Sequence, residues 1–275
     1  ASIGLQGIRL AQPTLGETFL VSGLGLIGLL TAQLLVSQGC RVLCLDPDLN
    51  KCTLAESLGL TVLHLSSSID PVDWCFEHTG GVGVDGVLIT ASTPSNEPVQ
   101  LAAQVCRQRG RIVLVGVTGL ELQRDLFYKK ELTFQVSCSY GPGRYDTSYE
   151  QKGNDYPIGF VRWTEQRNFQ AVLYSLSTGS IRTEPLLSHT YPIDQATDAY
   201  QLLTSQEPSL GILLLYPGDA DPKLRLVSLS SSQPVDIPDR AVKPQLSVIG
   251  AGNYASRVLV PSFNKAGACF HTIAA

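Results

Sequence analysis

The chemistry legible in this 275-residue chain is concentrated in one short stretch, VSGLGLIG at 21–28. Gly23, Gly25 and Gly28 follow one apolar run and open another, the G-x-G-x-x-G spacing of a turn that cradles phosphate between a strand and a helix. Each glycine meets a separate demand: Gly23 a tight turn, Gly25 close approach of the main chain to a pyrophosphate, Gly28 close packing of helix on strand. Free N–H groups at Leu26, Ile27 and Gly28, at the positive end of the helix, would hold the anion without a basic side chain, the dipole adding ~0.3–1 kcal/mol. Asp46 closes the run RVLCLD, 18 residues past Gly28. A carboxylate there accepts hydrogen bonds from both hydroxyls of an adenosine ribose and repels a 2′-phosphate, so the pattern favours NAD over NADP. Two blander readings stand beside these: glycine-rich turns are common, and Asp46 also fits as a cap on the helical segment that starts near Leu49.

Such a turn works at the carboxyl edge of a parallel sheet, and the chain has the alternation that builds one. FLVSGLG precedes IGLLTAQLLVSQ; RVLCLD precedes NKCTLAESLG; TVLHLS precedes a segment at 71–78; GVLITAS precedes PVQLAAQVCRQR; RIVLVGV and LTFQVSCSY follow. Repeated βα units with short connections predict an α/β fold, a doubly wound parallel sheet of the Rossmann kind, whose both-face burial explains the continuous apolar strands. Gly39, Gly59 and Gly110 each sit where a helix should stop in the left-handed region before the next strand. Ligands lie across the carboxyl ends of such strands, which adds Thr90 and Ala91, Gly116 and Val117 to the candidate site. Lys51, one turn into the helix after Asp46, is placed to reach the adenosine ribose or else is simply solvated.

After Tyr140 the composition shifts. Tyr140 and the loop GPGRYDTSYEQKGNDYP hold four of the ten tyrosines, and Tyr140, Arg144 and Tyr145 are the substrate-contact candidates there, a surface loop being the competing reading. A helix is predicted over 159–177, an extended segment over 185–191, a helix over 193–204 and a last strand in GILLLYP. Residues 218–243 read as a linker, and 244–275 restart a strand, a glycine turn, a helix and a strand.

Composition bounds the rest. With 44% apolar and 16% charged residues, a packed core is expected, and a net charge of -4 without a basic stripe argues against nucleic acid. The apolar run at 19–32 is broken by three glycines, so no membrane span is expected. Seven scattered cysteines and no leader-like start point to a reducing cytoplasm. The absence of methionine and the start at Ala1 suggest a piece of a longer protein.

QGIRLAQPTLGETFLVSGLGLIG, CLDPDLNKCTLAESLG, VDGVLITAS, GRIVLVG and YPIDQATDAYQLL ending in GILLLYP resemble the cofactor-binding half of the medium-chain, zinc-type alcohol-dehydrogenase-like superfamily over residues 1–217. The resemblance implies that YPIDQATDAYQLL returns to a catalytic lobe of which only a remnant is present, and that the parent forms a homodimer through LTFQVSCSY. Zinc-using members take their catalytic ligands from an amino-terminal lobe that is absent here, and no cysteine pair has metal-binding spacing, so no metal site is assigned. VIGAGNYASRVLVPSFNKAG, with Gly250, Gly252 and Ala255, resembles the start of the glucose-fructose/inositol-dehydrogenase-like family, which implies a bi-domain oxidoreductase of sugar-type substrates. Its 32 residues are too few to bury a core alone, and no second dinucleotide is expected there. The expected function is NAD(H)-dependent hydride transfer on a small-molecule alcohol or carbonyl, with no catalytic residue assigned. An NAD-binding sensor or scaffold without turnover is the alternative.

Overall fold

The computed structural model describes every residue except 206, 219–242, 244 and 275. The chain divides into two compact units, Ala1–Pro217 and Gly218–Ala275. The segment read as a linker lies almost wholly outside the described residues.

The first unit is built on a six-stranded parallel sheet in the order β3-β2-β1-β4-β5-β6. Its strands are β1 Thr18–Ser22, β2 Arg41–Asp46, β3 Thr61–His64, β4 Val84–Ile89, β5 Cys106–Leu114 and β6 Thr133–Val136. The helices are α1 Ser2–Ala11, α2 Leu26–Ser37, α3 Leu49–Ser57, α4 Pro71–His78, α5 Glu97–Val105 and α6 Arg124–Tyr128, then α7 Thr147–Glu150 and α8 Glu165–Ser177. Alternate strand residues face opposite sides, so one unbroken apolar run serves two cores. Phe19, Val21, Val42, Cys44 and Val113 pack with α1, α2 and α8 on one side. Leu20, Leu43, Leu45, Ile112 and Leu114 pack with α4 and α5 on the other. The strand order reverses between β1 and β4, and that is where a crevice opens at the carboxyl ends.

Local chemistry explains most boundaries. Asp48 and Asp70 each accept two main-chain N–H groups and start α3 and α4. Gly39 and Gly59 have positive φ at the helix exits. Gly110 does not. α5 already ends at Cys106, whose backbone is extended, so Gly110 lies inside β5, and the left-handed residue is Arg109 at φ 58. Arg109 is held there by its N–H to the Lys130 carbonyl at 2.7 Å and by Glu131 at 2.8 Å. The helix expected from 159 starts only at Glu165, where the Thr164 hydroxyl accepts the Arg167 N–H, with 157–161 folded into turns instead. The sequence does not announce α1, because a short segment bearing Gly4 and Gly7 has weak helix propensity. Tertiary contact supplies the reason for those glycines: a Cβ at Gly4 would lie 2.1 Å from Thr31 of α2, and one at Gly7 2.4 Å from Val115.

The return segment forms β7 Leu187–Pro192, α9 Ala196–Thr204 and β8 Gly211–Leu215, with β7 and β8 paired in parallel. Residues 184–186 and 193–195 are 3₁₀ turns at the starts of the expected strand and helix. In the second unit, β9 Gln245–Ile249 and β10 Cys269–Ala274 pair in parallel around a π-helical turn at Ala255–Leu259 and α10 Val260–Lys265. Gly250 turns at φ 87 just after β9.

Gly86, in the centre of β4, faces the buried Phe19 ring; a Cβ there would stand 2.4 Å from that ring and 2.9 Å from the Arg111 carbonyl. Gly86→Ala is expected to lower stability by about 1–3 kcal/mol. A lower urea midpoint at unchanged slope checks this, and a midpoint equal to wild type refutes it.

Candidate functional site

The glycine turn lies between the end of β1 and the start of α2, as its spacing predicts. Gly23 takes φ 101, and a Cβ on it would meet the Ala91 main chain at 2.6 Å. Gly28 is tighter still, since a Cβ would fall 1.9 Å from the Gly23 carbonyl oxygen. Gly25 differs from both: its Cβ position meets nothing within 4 Å. That open side, next to the N–H groups of Leu26, Ile27 and Gly28, which bond no carbonyl among the described residues, is the cradle a pyrophosphate needs.

Two side chains grip the turn. The Asp46 carboxylate, 5% exposed, accepts the Leu24 N–H at 2.6 Å through Oδ2 and the Asp48 N–H at 2.8 Å through Oδ1. The Thr90 hydroxyl donates to the Gly23 carbonyl at 2.6 Å, within 3.2 Å of the Ser22 carbonyl. Asp46 therefore does not cap α3; Asp48 does. Each Asp46 oxygen keeps a second lone pair free for a ribose hydroxyl.

A cleft of about 520 Å³ opens beside these groups. It is lined by Gly23, Gly25, Asp46, Lys51, Thr90 and Ala91, all anticipated from sequence. Lys51 sits 3.6 Å from Asp48. Gly116 and Val117 lie outside this lining. Gly116 instead lets the segment after β5 pass close to the segment after β4, a Cβ there meeting the Ala91 oxygen at 2.1 Å, and exposed Val117 pairs with Ser92. The sequence does not single out Ser22, Leu45, Pro47, Leu65, Ser92, Thr93, Ser95, Glu97 and Pro98, which line the same cleft. Ser22 ends β1, Leu45 is the last residue but one of β2, Pro47 and Leu65 directly follow β2 and β3, and the others lie on the connection from β4 into the start of α5; position at a strand carboxyl end is the signal that could have found the first four.

The tyrosine-rich loop places none of Tyr140, Arg144 and Tyr145 in the cleft lining. It satisfies itself: Arg144 bonds Glu150 at 2.6 Å and lies over the Tyr145 ring, the rings of Tyr149 and Tyr156 stack, and the Tyr156 hydroxyl donates to Asp146.

No cluster of three or more His, Cys, Asp or Glu able to hold a metal occurs among the described residues. The histidines are engaged locally, His64 with the Pro47 carbonyl and His78 with that of Trp74. Five of the seven cysteines are buried, and only Cys138 and Cys269 are exposed.

Residues 27–151 match the zinc-binding dehydrogenase family. By that match and by its fold, the first unit is similar to zinc-type alcohol dehydrogenases. The chain is 26% identical over 178 residues to an alcohol dehydrogenase of Rhizobium meliloti (strain 1021), covering 64% of this chain and 51% of that protein. It is 24% identical over 223 residues to the D-xylulose reductase of Scheffersomyces stipitis, covering 78% and 54%. An alcohol dehydrogenase of Escherichia coli CFT073 complexed with NADH superposes with TM-score 0.59 at 24% identity, over 78% of this chain and 56% of that one. A zinc-binding dehydrogenase of Sinorhizobium meliloti 1021 bound to NADP superposes with TM-score 0.60 at 22% identity, over 78% and 56%. The chain spans about half the length of the curated relatives it matches.

Burial pushes the thiols of Cys75 and Cys106 up to about 12 and that of Cys44 higher still. Raised folded values mean that the native state keeps protons which the unfolded chain sheds above about pH 8.5. This contribution to stability is whole below that pH and falls as pH climbs toward 12. Two thiols, Cys138 and Cys269, are therefore expected to react with a thiol reagent in the native protein at pH 8, the others only in denaturant. Rapid native reaction of more than two would contradict the burial.

Proposed function

We propose that this chain is the dinucleotide-binding part of an NAD(H)-dependent oxidoreductase that transfers hydride between the nicotinamide and an alcohol or carbonyl of a sugar-type small molecule. The observation that carries the reading is Asp46: its carboxylate stands 2.6 Å from the Leu24 N–H, inside the same cleft as the open face of Gly25. Main-chain N–H groups at Leu26, Ile27 and Gly28 would hold the pyrophosphate, and Asp46 the adenosine ribose. With Asp46 and Glu97 on the cleft wall, and Lys51 already beside Asp48, a 2′-phosphate would meet uncompensated negative charge; this favours NAD over NADP. The bound nicotinamide supplies the hydride chemistry, and the protein supplies position and charge. No residue described here is assigned to the proton transfer.

Sugar-type substrates are supported by the D-xylulose reductase similarity and by likenesses to sorbitol dehydrogenase and L-idonate 5-dehydrogenase. A homodimer joined through β6 is supported by that strand's place at the sheet edge, with Val136 exposed. A reducing, cytoplasmic setting is supported by seven free cysteines; no described helix is long and apolar enough to cross a membrane. The parallel β9 and β10 around a helix, with the Gly250 turn, support a second unit that opens like the glucose-fructose/inositol-dehydrogenase-like family.

Calorimetry with NAD and NADP tests the reading. The chain should bind NAD more tightly than NADP. Asp46→Ala should weaken NAD roughly 10- to 100-fold, the loss of a charged hydrogen-bond acceptor. The same change also frees Leu24, so the decisive readout is the NAD-to-NADP ratio, which damage to the turn alone leaves in place. A ratio unchanged by Asp46→Ala removes Asp46 from cofactor choice. A full-length protein that holds NADH tightly but never oxidises it with any polyol or ketose would favour the sensor or scaffold.

A further inference from the structure

Five residues, Ser22, Leu45, Leu65, Glu97 and Pro98, line both the cleft of about 520 Å³ and a second cavity of about 380 Å³. The two spaces therefore meet along one wall. That wall lies beside the place read above as the ribose site, since Leu45 precedes Asp46 in β2 and the Leu65 N–H donates to the Asp46 carbonyl at 3.1 Å. A base is bonded directly to such a ribose and has to lie next to Asp46. The junction offers it an apolar bed, with Leu45, Leu65 and Pro98 at the wall and Pro71 and Leu101 deeper in the second cavity.

Two polar side chains stand at the same junction. Along β1, Val21 belongs to the core on α1 and α2 and Leu20 to the core on α4 and α5, so alternation carries Ser22 to the second side, where Leu45 also packs. Ser22 is 4% exposed, and its hydroxyl makes no hydrogen bond among the described residues. Glu97 opens α5, with its own N–H on the Ser95 hydroxyl at 3.1 Å and Pro98 after it, which fixes its backbone. Its neighbour Asn96 is tied to Glu121 beyond β5 at 3.0 and 3.2 Å. Of the three charged side chains on the cleft, Asp46 already accepts two main-chain N–H groups and Lys51 lies 3.6 Å from Asp48. The Glu97 carboxylate has no hydrogen-bond or cation partner among the described residues, an acceptor without a donor.

We propose that Glu97 determines which base the site takes, its carboxylate accepting a hydrogen bond from the exocyclic amine of adenine while the Ser22 hydroxyl donates to a ring nitrogen. The assignment rests on the dinucleotide reading and deepens it. A carboxylate only accepts, so a base with a carbonyl oxygen in place of that amine sets two acceptors face to face. Ser22 serves either base, because both carry unprotonated ring nitrogens.

Calorimetry of the 275-residue chain with NAD and with nicotinamide hypoxanthine dinucleotide, which carries that carbonyl, tests the assignment. NAD is expected to bind at least about tenfold more tightly. In Glu97→Gln the side-chain amide donates as well as accepts, so the ratio should fall to about one while NAD still binds. Glu97 is exposed, and that variant keeps the fold. Ser22→Ala should weaken both dinucleotides alike. Equal binding of the two by the unaltered chain, or an unaltered ratio in Glu97→Gln, overturns the assignment and leaves the dinucleotide reading standing. Binding of neither overturns both.

Discussion

One turn of backbone, held from both sides before any ligand arrives, is the constraint on which the rest of the site depends. Asp46 takes the Leu24 N–H and Thr90 donates to the Gly23 carbonyl, so the main chain between β1 and α2 is fastened to β2 on one flank and β4 on the other. The fastening also uses up polar groups at Gly23 and Leu24 that burial would otherwise leave unsatisfied. What remains unbonded is the set of N–H groups at the start of α2, facing the one glycine whose side is open. A site organised in this way spends little binding energy on ordering itself.

The sheet also carries charge pairs at its opposite end. At the amino ends of the strands, Asp85 accepts the Thr18 N–H at 2.7 Å and pairs with Arg107, while Glu17 pairs with Arg111. These groups pin the start of β1 to β4 and β5, and the carboxyl ends are left for ligand. The two apolar cores between the ends exclude water from the strands, which makes the position of Asp46 a property of the whole sheet and not of its local turn.

The likeness to zinc-binding dehydrogenases and the candidate cleft fall on the same unit of the chain. The matched residues, 27–151, hold α2 to β6, including Asp46 and Thr90, and start just after Gly23 and Gly25 of the turn. The loop after β6 is self-contained, its tyrosines, Arg144 and Asp146 answering one another and not reaching the cleft lining. The first unit thus holds the six-stranded frame with its cleft, and a return segment whose β7 and β8 form a separate small sheet.

The sequence alone determined the alternation of strands and helices, the place of the glycine turn, and Asp46 as its acidic neighbour. It could do so because period, glycine spacing and apolar runs are local properties that a chain carries wherever it folds. Tertiary structure decided what each polar group does once the strands are side by side. Thr90 became a brace for Gly23, Gly116 a point of close passage between the segments after β4 and β5, Asp48 the helix cap in place of Asp46, and Arg109 the left-handed residue in place of Gly110. Arg9 and Arg162, far apart in sequence, came to share Trp163. Each of these turns on a contact between residues distant along the chain, and such contacts depend on the packing of elements and not on any spacing a single sequence displays.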